Sequence, residues 1–523
     1  MKPSTELFDL ISTLTKSEKR FFKLQSSLQS GDKNYVRLFD LIEKMEVYDE
    51  DAIKSTFKGE KFINHLPSEK NHLYKLILKS LRSYYSETSV SSMLKQEIKN
   101  VEILYNKGLF EECSKFLERA KKQAVKYEKF YYLFELISWE KTLLEEAFEN
   151  GQFVDLDKLI AEEQEVLDKL RNLTSYHVLY SKINYVFRSG GYSRTEENAR
   201  IIDEIVDHPL IKGKNTALSK RAATICYYTQ GFCNIANGNT AVALEKYTRV
   251  KQILDEQPEL RSDLAKRYVR TLSQIIQCQL ELKQFSEAQS NIQLMESLRE
   301  TEGFDTPDAV SRIFSEITLS KIKSYLLSAR YSEGVSALGE LAEQLKGNEG
   351  KLHKEVELRL YYYLAYLYFG AGQFNKALHW LNKVNNDNEN DLRQDLYGYA
   401  RLFNIVIHYE LGNSDLLEYT IKSTARYLQK RNRDFELEKL VLDQFKKLIR
   451  TNGTNAKREL LLEFKEKTHA VLQQETDSAA APELSRGLLK YFDFTAWIEA
   501  KLDGKSFEEL VRHRMMHAQK SPA

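Results

Sequence analysis

A pattern of apolar, small and glycine positions comes back about every 43 residues along this chain, and few folds satisfy such a recurrence. Its clearest statement is the stretch YYYLAYLYFGAGQFNKALHWLNKV, with Tyr361, Leu364, Ala365 and Tyr368, then Gly372-Gln373-Phe374, then Ala377, Leu381 and Val384. The spacings are those of helix, turn, helix. Leu364 and Tyr368 lie four apart on one helix face, and Ala365 is small enough to let a neighbouring helix approach. Gly372 stands where the first helix must stop, because a left-handed C-terminal residue costs least as glycine. Ala377, Leu381 and Val384 give the second helix an inner stripe at i, i+4 and i+7.

The same grammar returns as Gly108, Phe110, Cys113, Leu117 and Ala120, and again as Gly231, Gly238, Ala243, Tyr247 and Val250. Looser copies are Gly151-Phe153-Leu156-Ile160, Gly190-Tyr192-Thr195, Phe285-Ala288-Ile292, Tyr331-Gly334-Leu338-Leu341 and Gly412-Leu417-Ile421. The packing position of the second helix therefore falls at 113, 156, 195, 243, 288, 334, 377 and 417.

This pattern resembles the tetratricopeptide repeat over roughly residues 95–430, strongly in three copies and loosely in five. It departs from that family in its period, which exceeds 34 residues, and in the closing proline, whose place in the Tyr361 copy is taken by Glu389. A period near 43 also lies in the range of HEAT and armadillo repeats. The resemblance implies an all-α fold, a right-handed α-α superhelix of about eight helix pairs forming a TPR-like solenoid over residues 93–472. Such pairs cannot bury their apolar faces alone and are stabilised by stacking on their neighbours. The resemblance also implies a groove that binds a protein or peptide. The family's best-known peptide mode clamps a C-terminal carboxylate with a lysine and an asparagine four residues apart on a first helix. Here Lys141 is followed by Glu145, and Tyr180 by Asn184, so that clamp is not expected.

The ends read differently. Residues 1–92 form a small N-terminal helical module with start signals at Thr15-Lys16-Ser17-Glu18, Asp49 and Pro67-Ser68. Residues 473–483 read as a linker, and 484–523 as a C-terminal capping helix pair with a frayed tail, the second helix opened by Ser506 and Glu509. Twenty-one glycines and seven prolines are too few for the turns of an all-β chain of 523 residues. With 42% hydrophobic residues the chain can bury a large core. The longest apolar run, Tyr361 to Phe369, is about half of a bilayer span, and charged residues interrupt Met1 to Phe22, which leaves no signal-peptide core. Cys113, Cys226, Cys233 and Cys278 show neither metal-binding nor disulfide-framework spacing. A cytoplasmic protein with no membrane partner is the expectation.

Motifs that carry chemistry are sparse. Asp503-Gly504-Lys505-Ser506 ends like a phosphate loop, but Glu499 stands where its first glycine belongs, and a carboxylate there repels phosphate. His513 and His517 are four apart without a third ligand nearby, and His65 and His72 have no carboxylate or cysteine companions. No GxSxG or dinucleotide fingerprint occurs, so neither catalysis nor a cofactor nor a metal is expected. The formal net charge is only +1, yet it is unevenly spread: net −7 from Glu140 to Lys169 and net +7 from Lys422 to Arg458. The basic stretch makes Lys430, Arg431, Arg433, Lys446 and Lys447 candidate phosphate contacts for an alternative, a nucleic-acid-linked regulator that uses the N-terminal module or the basic 422–458 region, against the plainer reading of solvated helix faces. The main reading is a non-catalytic scaffold. Tyr228, Phe232, Tyr362 and Tyr366, on first helices, are its candidate partner-binding residues, with core packing as the competing assignment.

Overall fold

The structure, a computed structural model, describes residues 4–27, 34–146, 153–190, 196–339, 352, 354–387, 393–431, 435–477 and 491–518. All regular elements among these residues are helices, joined by turns and short irregular stretches. The chain divides into two compact units, Met1–Val166 and Leu167–Ala523.

The first unit opens with α1 (Glu6–Thr13), α2 (Lys16–Ser27), α3 (Asn34–Glu43), α4 (Glu50–Thr56) and, after a 3-10 turn at Lys61–His65, α5 (Leu66–Tyr84). Two of the three expected start signals work as hydrogen bonds, whereas α5 opens at Leu66, ahead of Ser68, with Pro67 in its first turn and no side-chain cap. Thr15 N–H donates to the Glu18 carboxylate at 2.6 Å while Glu18 N–H donates to Thr15 Oγ1 at 3.3 Å, the reciprocal pair of a capping box. Asp49 Oδ1 accepts from the N–H groups of Asp51 and Ala52, capping α4. Leu7, Ile11, Phe22, Phe39, Leu73 and Ile77 meet in one buried core. Next come α6 (Val90–Asn106), α7 (Phe110–Lys126) and α8 (Phe130–Glu146), and then α9 (Phe153–Gly190), inside which the division between units falls.

The 38 residues of α9 depart from the expected repeat. The copies at Gly151 and Gly190 require a turn between their helices, yet the helix is continuous. No glycine or proline occurs from Phe153 to Ser189, so nothing in that stretch stops the hydrogen-bond ladder. Gly151, Tyr192 and Thr195 lie outside the described residues.

The second unit continues with α10 (Glu196–Asp207), α11 (Pro209–Lys212), α12 (Lys220–Ala236), α13 (Thr240–Asp255), α14 (Pro258–Asp263), α15 (Ala265–Glu281), α16 (Phe285–Ser297), α17 (Pro307–Leu327) and α18 (Tyr331–Ala337). It ends with α19 (Lys354–Gly370), α20 (Phe374–Asn385), α21 (Gln394–Glu410), α22 (Ser414–Lys430), α23 (Glu436–Arg450), α24 (Thr454–Asp477), α25 (Phe494–Asp503) and α26 (Phe507–Ala518). Antiparallel neighbours pack as pairs, α12 with α13, α15 with α16, α19 with α20 and α21 with α22, and first helices also touch, α15 on α17, α17 on α19 and α19 on α21. Cys113, Ala243, Ala288, Gly334, Ala377 and Leu417, at six of the eight packing positions, are all buried.

Seven turns among the described residues close in one way. In the α19–α20 turn, Gly372 N–H donates to Phe369 O and Gln373 N–H to Tyr368 O, with Gly372 at φ +73°. This pair of bonds satisfies carbonyls that a helix end leaves orphaned. The same pair recurs with Gly108, Gly238 and Gly412 in the left-handed position, and with Glu128, Lys283 and Ala329 there instead of glycine. Gly231 answers a different need: a Cβ on it would stand 2.6 Å from the Tyr247 ring, so α13 could not approach α12 as it does.

At the C-terminal end, α24 runs through the first five residues of the expected linker, and 478–490 lie outside the described residues. The tail expected to fray from Arg512 is instead helical to Ala518. Arg514 holds it, bonding to Glu499 at 2.6 Å and to Asp493 at 3.2 Å, while Arg512 donates to the Ala329 carbonyl at 3.5 Å.

Candidate functional site

The four candidate aromatics are set mainly into the core. Tyr228 is 6% exposed among Tyr180, Phe232 and Tyr247, with Phe232 half-buried and stacked on it at 5.6 Å. Tyr362 and Tyr366 face the chain's own C-terminal segment rather than open solvent. Tyr362 Oη donates to the Tyr491 carbonyl at 2.9 Å, and Tyr366 Oη accepts from Asp493 N–H at 3.4 Å. Phe492 packs against the rings of Tyr366, Phe369, Phe403 and Phe507. Tyr491 bonds to Asp395 and Arg393, which pair with each other at 3.0 Å.

Two of the five basic candidates are paired with carboxylates. Lys446 pairs with Asp443 at 2.9 Å and Lys447 with Glu463 at 3.0 Å. Glu463 also takes Lys467, and these bonds lower its carboxyl to about 2. Lys430 is exposed at the end of α22, Arg431 caps that helix, and Arg433 lies outside the described residues. In the acidic stretch, Lys121 bonds to Glu140 and Glu162, and Lys141 to Glu163. The four cysteines are buried and form no disulfide among the described residues. His513 and His517 touch at 3.1 Å, and among the described residues no group of three or more His, Cys, Asp or Glu could hold a metal ion. No helix among them is long and apolar enough to cross a membrane.

A different constellation stands on the first helices of the second unit. Arg267 and Arg270 of α15, Arg312 and Lys323 of α17, and Arg359 of α19 sit at spacings that share a helix face, and none of the five has a carboxylate ion-pair partner among the described residues. Among the described residues Arg267 donates only to Thr224 Oγ1, at 2.8 Å, and burial together with neighbouring Arg221 pushes it down to about 10, still charged at neutral pH. Arg270 and Arg359 make no hydrogen bond among the described residues, and Arg312 Nε is a buried donor without an acceptor. Lys323 donates to Gln277 and lies 5.0 Å above the Tyr363 ring. Burial lowers the lysine. Burial alone would raise the Tyr363 phenol, but Lys323, Arg359 and Arg393 outweigh it and hold it below its ordinary value.

Acids nearby are engaged elsewhere. Glu316 accepts from Ser273 at 2.5 Å, Asp308 pairs with Lys266 at 2.7 Å, and Asp263 with Arg221 at 2.5 Å. Half-buried guanidiniums without a carboxylate ion pair have given up part of their hydration with little return, which makes them receptive to an anionic group. Sequence inspection passed over them because they are scattered singly from position 267 to 359 and form no charge run. The signal that could have found them was register: each falls on a first helix, on the turns beside its packing residues. No family model matches the chain, and no curated protein matches it in sequence.

Proposed function

We propose that this chain is a non-catalytic, cytoplasmic scaffold whose second unit holds an acidic segment of a protein partner along its first helices. The fold that goes with this reading is a right-handed superhelix of tetratricopeptide-like pairs, supported by the seven identical turn closures and the buried small residues of the second helices. The observation that carries the reading is the set of five cations, Arg267, Arg270, Arg312, Lys323 and Arg359, lacking carboxylate partners on three adjoining helices. Carboxylates of a partner would supply those partners, and such pairs weaken as salt rises. Tyr180 and Tyr363, half-buried beside the cations, add amphipathic surface of the kind that anchors bound segments.

The test is peptide-display selection on the purified full chain. Acidic peptides should be enriched, and their binding should fall at least tenfold in Arg270→Ala/Arg312→Ala with an unchanged melting temperature. Recovery of no binding peptide would sink the scaffold reading. Tighter binding of a single-stranded oligonucleotide, lost in the same variant, would favour the nucleic-acid-linked alternative.

A further inference from the structure

The first unit contains a cavity of about 430 Å³, open to solvent and lined by Tyr105 of α6 and by Tyr131, Phe134, Glu135, Ser138, Trp139 and Thr142 of α8. That volume is in the range of ligand sites. Residues 131, 135, 138, 139 and 142 share one face of α8, whereas Phe130, Leu133, Leu136 and Ile137 bury its other side in the core. The outward face is therefore aromatic without being covered. Tyr131 is 65% exposed, and Trp139 is half-buried, in contrast to Trp380 at 3% and Trp497 at 1%. Tyr105 meets Trp139 edge-on at 5.5 Å and Phe110 at 5.7 Å, so the rings form a wall rather than isolated plates.

The polar atoms of this wall say what it would hold. Ser138 Oγ donates to Phe134 O at 3.1 Å and Thr142 Oγ1 to Ser138 O at 3.0 Å, which turns both hydroxyl hydrogens back into the helix. Tyr105 Oη donates to the Glu146 carboxylate at 3.3 Å. Glu135, half-buried in the lining, has no hydrogen bond or ion pair among the described residues. Lys121 of α7 and Lys141 of α8 are held by Glu140, Glu162 and Glu163. Among the described residues the cavity thus offers ring faces, acceptors and the Glu135 carboxylate, and its lining includes no cation. Ring faces attract cations through their quadrupoles, most strongly at tryptophan.

We propose that this cavity receives a side-chain cation, the guanidinium or ammonium group of an arginine or lysine carried by a partner protein, between the rings of Tyr105, Tyr131 and Trp139 with Glu135 as its counter-charge. The site belongs to the first unit and stands or falls apart from the reading of the second.

Trp139 is the natural reporter. The full chain is titrated with the capped pentapeptide Gly-Gly-Arg-Gly-Gly, with its citrulline counterpart, which keeps the shape and lacks the charge, and with the free polyamine spermidine. The expected result is a saturable change in tryptophan emission that is absent from Trp139→Phe, with the citrulline peptide about tenfold weaker. Glu135→Gln should weaken the arginine peptide several-fold without moving the melting temperature, and Tyr131→Ala provides a second variant at an exposed ring. Equal binding of the arginine and citrulline peptides overturns the proposal, as does the absence of saturable binding by either peptide at millimolar concentration. Spermidine binding with no peptide binding also overturns it, in favour of a site for free polyamines.

Discussion

Glu50 illustrates how one side chain can make a small helical module depend on pH. Its carboxylate accepts from Lys70 at 2.8 Å, from Lys54 at 3.0 Å and from Tyr48 at 3.0 Å. The Lys70 bond leads in lowering it from 4.5 to about 2, against the opposing effect of burial. A carboxylate whose pKa falls on folding contributes stability above its unfolded value, and loses that contribution as pH drops through the folded one. Glu50→Gln should therefore cost on the order of 2 kcal/mol at pH 7. Wild type and variant should converge as pH falls from about 5 toward 2, and urea titrations across that range would check this. A gap that stays constant with pH would show that Glu50 acts only through packing.

At the scale of elements, the repeated turn closure sets a local cost that the chain meets in two ways. Gly108, Gly238, Gly372 and Gly412 adopt the left-handed conformation freely, whereas Glu128, Lys283 and Ala329 hold it at φ between 49° and 61°. Lys283 is exposed and close to no partner that would be lost, so Lys283→Gly should stabilise the second unit by about 0.5–1 kcal/mol. Gly372→Ala should cost a similar amount. Thermal melts of both variants would check the pair of signs. These turns also explain which parts of the fold were legible. Glycine turns with an apolar stripe behind them announced α6–α7, α12–α13, α19–α20 and α21–α22. The turns at Lys283 and Ala329 left only faint copies, because tertiary packing there overrides the local preference that makes glycine visible. In α9 the informative signal was an absence, the lack of any helix breaker from 153 to 189, and a strict period obscured it.

At the scale of the whole molecule, the C-terminal segment from Tyr491 to Ala518 is an integral part of the second unit's core. Phe492 is 1% exposed among five aromatic neighbours, and Trp497, also 1% exposed, donates to Glu410 at 2.6 Å. Phe492→Ala should destabilise the unit by about 3–5 kcal/mol, measurable as a lower urea midpoint of the full chain. A midpoint unchanged within error would show that the segment merely rests on α19 and α21. The groove or core ambiguity of Tyr362 and Tyr366 could not be settled from sequence for the same reason. What covers them lies 129 and 127 positions further on, and no local periodicity carries that information. The five cations were equally silent, since lacking a partner is a property of three-dimensional neighbourhood.

The order in which the ribosome makes the chain gives this arrangement a further meaning. Aromatic rings of α19 and α21 emerge before Phe492 exists to cover them, so the nascent protein carries an uncovered sticky patch until that segment is made. Native closure there must wait for Tyr491 and the residues after it, which makes termination between α21 and that segment a direct route to aggregation and chaperone capture.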